Sequence, residues 1–124
     1  MSGLESLPIE GASKLQGAFG GWPAFRNARI LYVRVDRAGP TVTVAFELTE
    51  WAERHPGQAV NATLRWMEVT GLELSGIASE NVIAGMTVAA TEDGIEATLE
   101  RGAGLHGRMR ARSLRVLDVV IIEP

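Results

Sequence analysis

The chain contains no cysteine, and this absence excludes several classes of protein at once. Without thiols there is no disulfide framework, no cysteine-ligated zinc site and no thiol nucleophile. A chain of 124 residues can bury roughly two-thirds of the surface that its unfolded form exposes, so it needs no covalent cross-link. The sequence therefore predicts a single domain over residues 1–124, in a reducing compartment such as the cytoplasm.

Long apolar runs are also lacking. The strongest run, residues 119–122, is far shorter than the roughly 20 residues that a membrane span requires. The first ten residues include Glu5 and Pro8 and have no basic segment followed by an apolar core, which argues against a signal peptide. No association with a membrane is expected.

Histidine is scarce, which limits the chemistry available. His55 lies in a polar connection and His106 lies on the outward face of a predicted strand. A hydrolase needs a nucleophile, a base and an orienting group. None of the candidate nucleophiles Ser13, Ser75, Ser79 and Ser113 lies in a G-x-S-x-G turn. One imidazole near Glu50 and Glu53 is more typical of a solvated surface than of a metal site. The sequence predicts no catalytic residue, no metal and no cofactor, with a hydrolase-like enzyme as an alternative.

The net charge of −3 argues against nucleic-acid binding as the main task, because that task needs an excess of positive charge. One local exception is the row Arg108, Arg110 and Arg112, which alternation places on one face of one strand. Pairing with Glu96 and Glu100 on a neighbouring strand would make this row an ordinary charged surface. Otherwise the row would bind an acidic partner or, as a third hypothesis, nucleic acid.

Alternation with a period of two dominates the sequence and predicts β-strands. The clearest segments are a hairpin at residues 29–48 and a second at 82–100, whose Asp93-Gly94 favours a tight turn. Further predicted elements are a short helix at 12–17, a strand at 59–68, a short strand or bend at 69–76, and strands at 105–112 and 114–122. The last strand is so apolar that it is expected to be central or covered on both faces. The fold class is mainly β: an antiparallel sandwich, or a strongly curved sheet or partial barrel, of about seven or eight strands.

A dense motif precedes the first clear strand and carries three aromatic residues, two glycines and a proline. Pro23 restricts Trp22 to extended geometry, and the preceding glycines permit a turn, so Trp22 and Phe25 are expected to be held in a defined bend. The motif positions are Phe19, Gly20, Trp22, Pro23, Phe25, Ala28 and Ile30, followed later by Leu72, Leu74, Gly76, Asn81, Val82 and Ile83. Over residues 17 to 122, this pattern resembles the Immunity protein 50 family of bacterial polymorphic toxin systems.

The resemblance implies a non-enzymatic protein that neutralises a cognate toxin by binding it. The positions carried over residue by residue are Trp22, Pro23, Phe25, Asn27 and Asn81, and all are expected to be structural. The chain departs from the family pattern after Phe25. The family has a His-Asp pair there and an acidic residue after the alanine, whereas this chain has Arg26-Asn27 and Arg29. Either these positions contact a different partner, or Asn27 replaces aspartate as a turn acceptor.

For the toxin-facing surface, the sequence offers the acidic group Glu47, Glu50 and Glu53 together with Trp51. This group would suit a toxin with a basic cleft, and Trp51 is expected to be an exposed anchor because no strand pattern surrounds it. A different class of function is a small ligand-binding β domain with its site near Trp22. The sequence leaves open whether the protein is a monomer or a homodimer.

Overall fold

The computed structural model describes residues 7–122, and the elements within that range are seven strands, one α-helix and one 3₁₀ helix. In chain order these are β1 (Ile9–Glu10), α1 (Ala12–Phe19), β2 (Arg29–Asp36), β3 (Thr41–Leu48), the 3₁₀ helix (Thr49–Glu53), β4 (Ala59–Ser75), β5 (Gly85–Ala90), β6 (Ile95–Glu100) and β7 (His106–Ile122). No helix in this described range is long and apolar enough to cross a membrane.

The strands form one sheet in the order β2-β3-β4-β7-β6-β5, with antiparallel neighbours throughout. The two-residue β1 adds to β7 in parallel, with Ile9 opposite Leu114. The predicted mainly-β fold of about seven strands with a short N-terminal helix is confirmed. Of the architectures left open, the structure has a single uncurled sheet in place of a sandwich or a partial barrel.

The two longest strands, β4 and β7, each have 17 residues and pair along nearly their whole length. Separate strands were predicted at 59–68 and 69–76, and again at 105–112 and 114–122, and this division is wrong. Trp66 pairs with Leu114 and Val69 pairs with Ala111, so the ladder runs through Glu68, whose φ is 51°. A residue with positive φ changes which of the alternate side chains face the core, but it does not end the strand. In the sequence, this change in the alternation resembles a strand boundary.

One face of the sheet carries the core, because cross-strand partners on that face are apolar. Val44, Leu64 and Val116, for example, are buried in one row across three strands. Leu15 of α1 and Phe25 of the motif are also fully buried in this cluster. The helix and the motif therefore cover the apolar face that a single sheet leaves open.

The end of β7 corrects a second expectation. The strand is central as far as Arg115, but β6 pairs only up to Ala111 and β1 only up to Arg115. Beyond that point β7 is an edge, and Val120, Ile121 and Ile122 are between 42% and 49% exposed. The apolar composition of this segment does not reflect burial on both faces.

Candidate functional site

The motif segment and two members of the acidic group, Glu50 and Glu53, meet in the folded chain, where they line a cleft of about 290 Å³. One wall is formed by residues 18–24, from the last turn of α1 through the motif. The other is formed by Glu50, Trp51 and residues 53–55, from the 3₁₀ helix and the following turn, and Arg26 also lines the cleft. The sequence places these walls about 30 residues apart, so only the fold brings them together.

Trp51 forms the aromatic wall of the cleft, and its expected exposure is wrong, since only 9% of it is accessible. Phe19 packs edge-on against it with ring centroids 5.1 Å apart, and His55 stacks on it at 3.9 Å. The indole Nε1 donates to Oε1 of Gln58 at 3.0 Å. A tryptophan covered in this way is a structural wall of the cleft and not a protruding anchor.

The motif aromatics join the cleft to the core, because Phe19 and Trp22 line the cleft and Phe25 packs against Trp22. Phe25 is fully buried and packs against Phe46 at 5.1 Å and against Trp22 at 5.9 Å. Pro23 is buried and Trp22 is half-buried. Phe25 and Asn27 both have positive φ, of 60° and 55°, which is rare for a bulky residue such as phenylalanine. The bend predicted from the glycines and the proline is thus completed by two left-handed residues.

Asn27 is exposed, and its backbone carbonyl accepts a hydrogen bond from Oγ1 of Thr49 at 3.0 Å. Asparagine is among the residues that best tolerate a left-handed conformation. Asn27 therefore stabilises the turn through its left-handed backbone conformation and its backbone carbonyl oxygen.

The acidic group is paired with the two arginines that depart from the family pattern. Arg26 contacts both carboxylate oxygens of Glu53 at 3.0 and 3.1 Å, and its backbone N–H donates to Glu50 at 3.2 Å. The hydrogen bond that Arg26 donates to Glu53, followed by the negative charge of Glu53, raises the pKa of Arg26. Arg29 lies 3.8 Å from Glu47 and 3.9 Å from Glu80. This surface therefore carries mixed charge and is not the purely acidic patch that the sequence indicated.

The arginine row lies on the exposed face of β7. Arg110 contacts Glu96 at 2.6 Å, as predicted, whereas Arg108 pairs with Glu73 of β4 at 3.1 Å instead of with Glu100. Arg112 is exposed and has no ion pair among residues 7–122. Two of the three cations are thus neutralised by neighbouring strands, which favours an ordinary charged face.

The Arg110–Glu96 contact gives a pH-dependent prediction. The hydrogen bond from Arg110 lowers the pKa of Glu96, so the pair stabilises the fold above the ordinary glutamate pKa, and this contribution is lost as the pH falls through the lowered value. We expect Arg110→Gln to raise the pKa of Glu96 toward its ordinary range in an NMR titration of the carboxyl carbon. Arg112→Gln is the matched control and should leave it unchanged. An unchanged pKa in Arg110→Gln would contradict the assigned cause.

Asn81 connects three parts of the chain next to the start of β2. Its Oδ1 accepts from the backbone N–H groups of Ala78 and Leu105, each at 2.9 Å, and its Nδ2 donates to the carbonyl of Ala78. Its own carbonyl accepts from Ile30 at 2.8 Å. The sequence indicated only a turn residue before Val82, and nothing in the pattern signalled the contact with Leu105.

In the part of the chain from residue 7 to residue 122, neither histidine is hydrogen-bonded to a serine or an acidic side chain. Nδ1 of His55 lies 3.3 Å from the carbonyl of Trp51, and Nδ1 of His106 lies 3.1 Å from that of Gly104. No group of three or more metal-ligating side chains occurs within residues 7–122. What the cleft offers is shape, aromatic walls and paired charges, which are means of binding another molecule.

The family of the chain follows from comparison with known proteins. No curated protein and no solved structure shows significant similarity to the chain. The model of the family described as Immunity protein 50 matches residues 11–121, from the start of α1 to the end of β7. The match covers nearly the whole chain, and the protein therefore belongs to the Immunity protein 50 family.

Proposed function

We propose that this protein is a non-enzymatic immunity protein that binds and neutralises a cognate bacterial polymorphic toxin in the cytoplasm. The observation that carries the proposal is the family match over residues 11–121, which includes every long strand and the motif. The surface chemistry is consistent with it, because the clefts and faces described above hold paired charges and aromatic walls.

The toxin contacts the mixed-charge surface formed by Glu47, Glu50 and Glu53 with Arg26 and Arg29. Exposed charge pairs of this kind contribute little to folding stability. Across an interface they determine which partner is accepted and how fast it associates, because a mismatched charge is left facing a like charge. Relative to the family pattern, Arg26 stands at the histidine position, and Asn27 and Arg29 stand at the acidic positions. These differences alter the charge pattern offered to the toxin.

Co-expression with the toxin encoded by the neighbouring gene tests the proposal. We expect the protein to restore growth and to co-purify with the toxin domain as a stable complex. Titration of purified toxin should show one toxin inactivated per immunity protein bound, because a binding protein acts by occupancy. Inactivation of many toxin molecules by one copy would instead indicate an enzyme. Absence of both the complex and the rescue would refute the proposal.

A further inference from the structure

The cleft beside Trp51 has a size that suits one side chain of another molecule. Its volume is about 290 Å³. Pockets that hold a drug-sized molecule or a cofactor have volumes of roughly 300–1,000 Å³. The cleft lies at the lower limit of this range. A single long side chain therefore fits it better than a complete small-molecule ligand does.

Four charged side chains line the cleft, and only two of them neutralise each other. These residues are Arg26, Glu50, Glu53 and Arg54. Arg26 and Glu53 form an ion pair at 3.0 Å. Within residues 7–122, neither Glu50 nor Arg54 belongs to an ion pair. An incoming group therefore finds one unmatched acid and one unmatched base.

Glu50 and Arg54 differ in burial and in how firmly each is held. Glu50 is half-buried, and its Oε1 accepts a hydrogen bond from the backbone N–H of Arg26 at 3.2 Å. The side chain of Arg54 is exposed, and no hydrogen bond to the described part of the chain holds it in place. Water solvates an exposed guanidinium, whereas a half-buried carboxylate has lost part of its hydration and is stabilised more by a counter-charge. The positioned charge of the cleft is therefore negative.

The aromatic walls of the cleft favour an occupant of the same sign. Phe19, Trp22 and Trp51 line it, and the first two are only half-buried. The face of an aromatic ring is electronegative and attracts cations, most strongly in tryptophan. It offers no such attraction to a carboxylate or a phosphate. A long cationic side chain uses both features, because its alkyl stem packs against rings while its charged end reaches a carboxylate.

We propose that the cleft receives a cationic side chain of the toxin, an arginine or a lysine. Its stem lies along Phe19 and Trp22, and its charge lies against the carboxylate of Glu50. This inference rests on the proposed function and names the group that the toxin contributes. Glu50 also belongs to the mixed-charge surface, so the inserted side chain anchors an interface whose remaining charges surround it. Long side chains inserted into pockets commonly dominate the affinity of such interfaces, and arginine is enriched among them.

The test uses the full chain and the toxin domain that co-purifies with it. Glu50→Gln keeps the shape of the side chain and the acceptor for Arg26 but removes the charge, so binding should weaken roughly 10- to 100-fold. Arg54→Gln should bind at least as tightly as the wild type, because it removes a cation that repels the inserted one. Glu92→Gln, in the exposed turn between β5 and β6, is the matched control for net charge and should bind like the wild type. Affinities are compared at a temperature at which all four proteins are folded.

A second measurement locates the contact within the complex. The indole N–H signals of Trp22 and Trp51 should shift in the NMR spectrum when the toxin binds, because both rings line the cleft. The signal of Trp66, which is fully buried in the sheet, is the internal control and should stay in place. Replacing the exposed arginines and lysines of the toxin one at a time should identify one whose loss weakens binding. With that toxin variant, Glu50→Gln should have no further effect.

The outcomes separate this inference from the proposed function. If the wild type binds and protects but Glu50→Gln binds equally well, insertion of a cation is refuted and the immunity function stands. If Arg54→Gln weakens binding and Glu50→Gln strengthens it, the occupant is an anion and the inference is wrong. Unshifted signals of Trp22 and Trp51 would show that the toxin binds elsewhere, which also refutes it. If the wild type does not bind the toxin at all, both proposals fail.

Discussion

Replacement of Phe25 by alanine is expected to lower the free energy of unfolding by about 3–5 kcal/mol, which is the range for truncating a fully buried aromatic side chain. Phe25 has no accessible surface and touches both Phe46 of the sheet and Trp22 of the motif. Its loss leaves a cavity where the motif closes the open face of the sheet. Urea denaturation followed by tryptophan fluorescence measures the change.

The conformation of Phe25 supplies an internal control for this experiment. Its φ of 60° lies in the left-handed region, which glycine adopts without strain and alanine does not. Phe25→Gly should therefore be at least as stable as Phe25→Ala, the reverse of the order at ordinary sites. Tyr32→Ala removes an aromatic ring that is half exposed and should change stability by only about 0.5 kcal/mol. A small loss in Phe25→Ala would show that the motif does not anchor the core.

Local structure could be predicted wherever one pattern persists over a whole element. Both hairpins, 29–48 and 82–100, were recognised because alternation on each side of a turn is a local signal. The helix at the N-terminus was also found, although it extends to Phe19 and not only to residue 17. The architecture was not determined, because the same alternation serves a sandwich and a single sheet whose face is covered by a helix and a loop.

Long-range features were missed for a common physical reason. The continuity of β4 depends on Glu68 taking a positive φ, and the exposure of Val120–Ile122 depends on where β1 and β6 stop pairing. Neither property is encoded within a window of ten residues. Strand addition and strand termination are decided by the rest of the sheet.

For the candidate site, too, the sequence predicted the local groups of residues but not how the fold brings them together. The sequence identified Glu50, Trp51 and Glu53 as one group and the motif as another, but it gave no sign that both line one cleft. It also assigned Trp51 to the surface because no strand pattern surrounds it. In the structure, contacts with Phe19 and His55 bury Trp51, and Arg26 balances Glu53 across 27 positions of sequence. Composition revealed the charges, and only the fold revealed their pairing.

Replacement of Asn81 by alanine is expected to lower the free energy of unfolding by about 1–3 kcal/mol, since three hydrogen bonds of roughly 1 kcal/mol each are lost. The N–H of Leu105, a buried residue, is left without its acceptor. Asn81→Asp keeps an oxygen in the place of Oδ1 and loses only the donation to Ala78, so its cost should be smaller. Thermal or urea unfolding measures both, and Ser79→Ala in the same exposed loop should be neutral.

Gly104 provides a more demanding test of the same site. A Cβ at residue 104 would lie 2.5 Å from Oδ1 of Asn81 and 2.7 Å from the carbonyl of Glu80, and φ there is 86°. Gly104→Ala should therefore be strongly destabilising in the wild type and less so in Asn81→Ala, where one of the two clashes is gone. The double-mutant cycle should give a coupling free energy of about 0.5–3 kcal/mol, typical of residues in contact. Strict additivity would mean that a Cβ at residue 104 does not clash with Oδ1 of Asn81, which would contradict the close approach of the two residues.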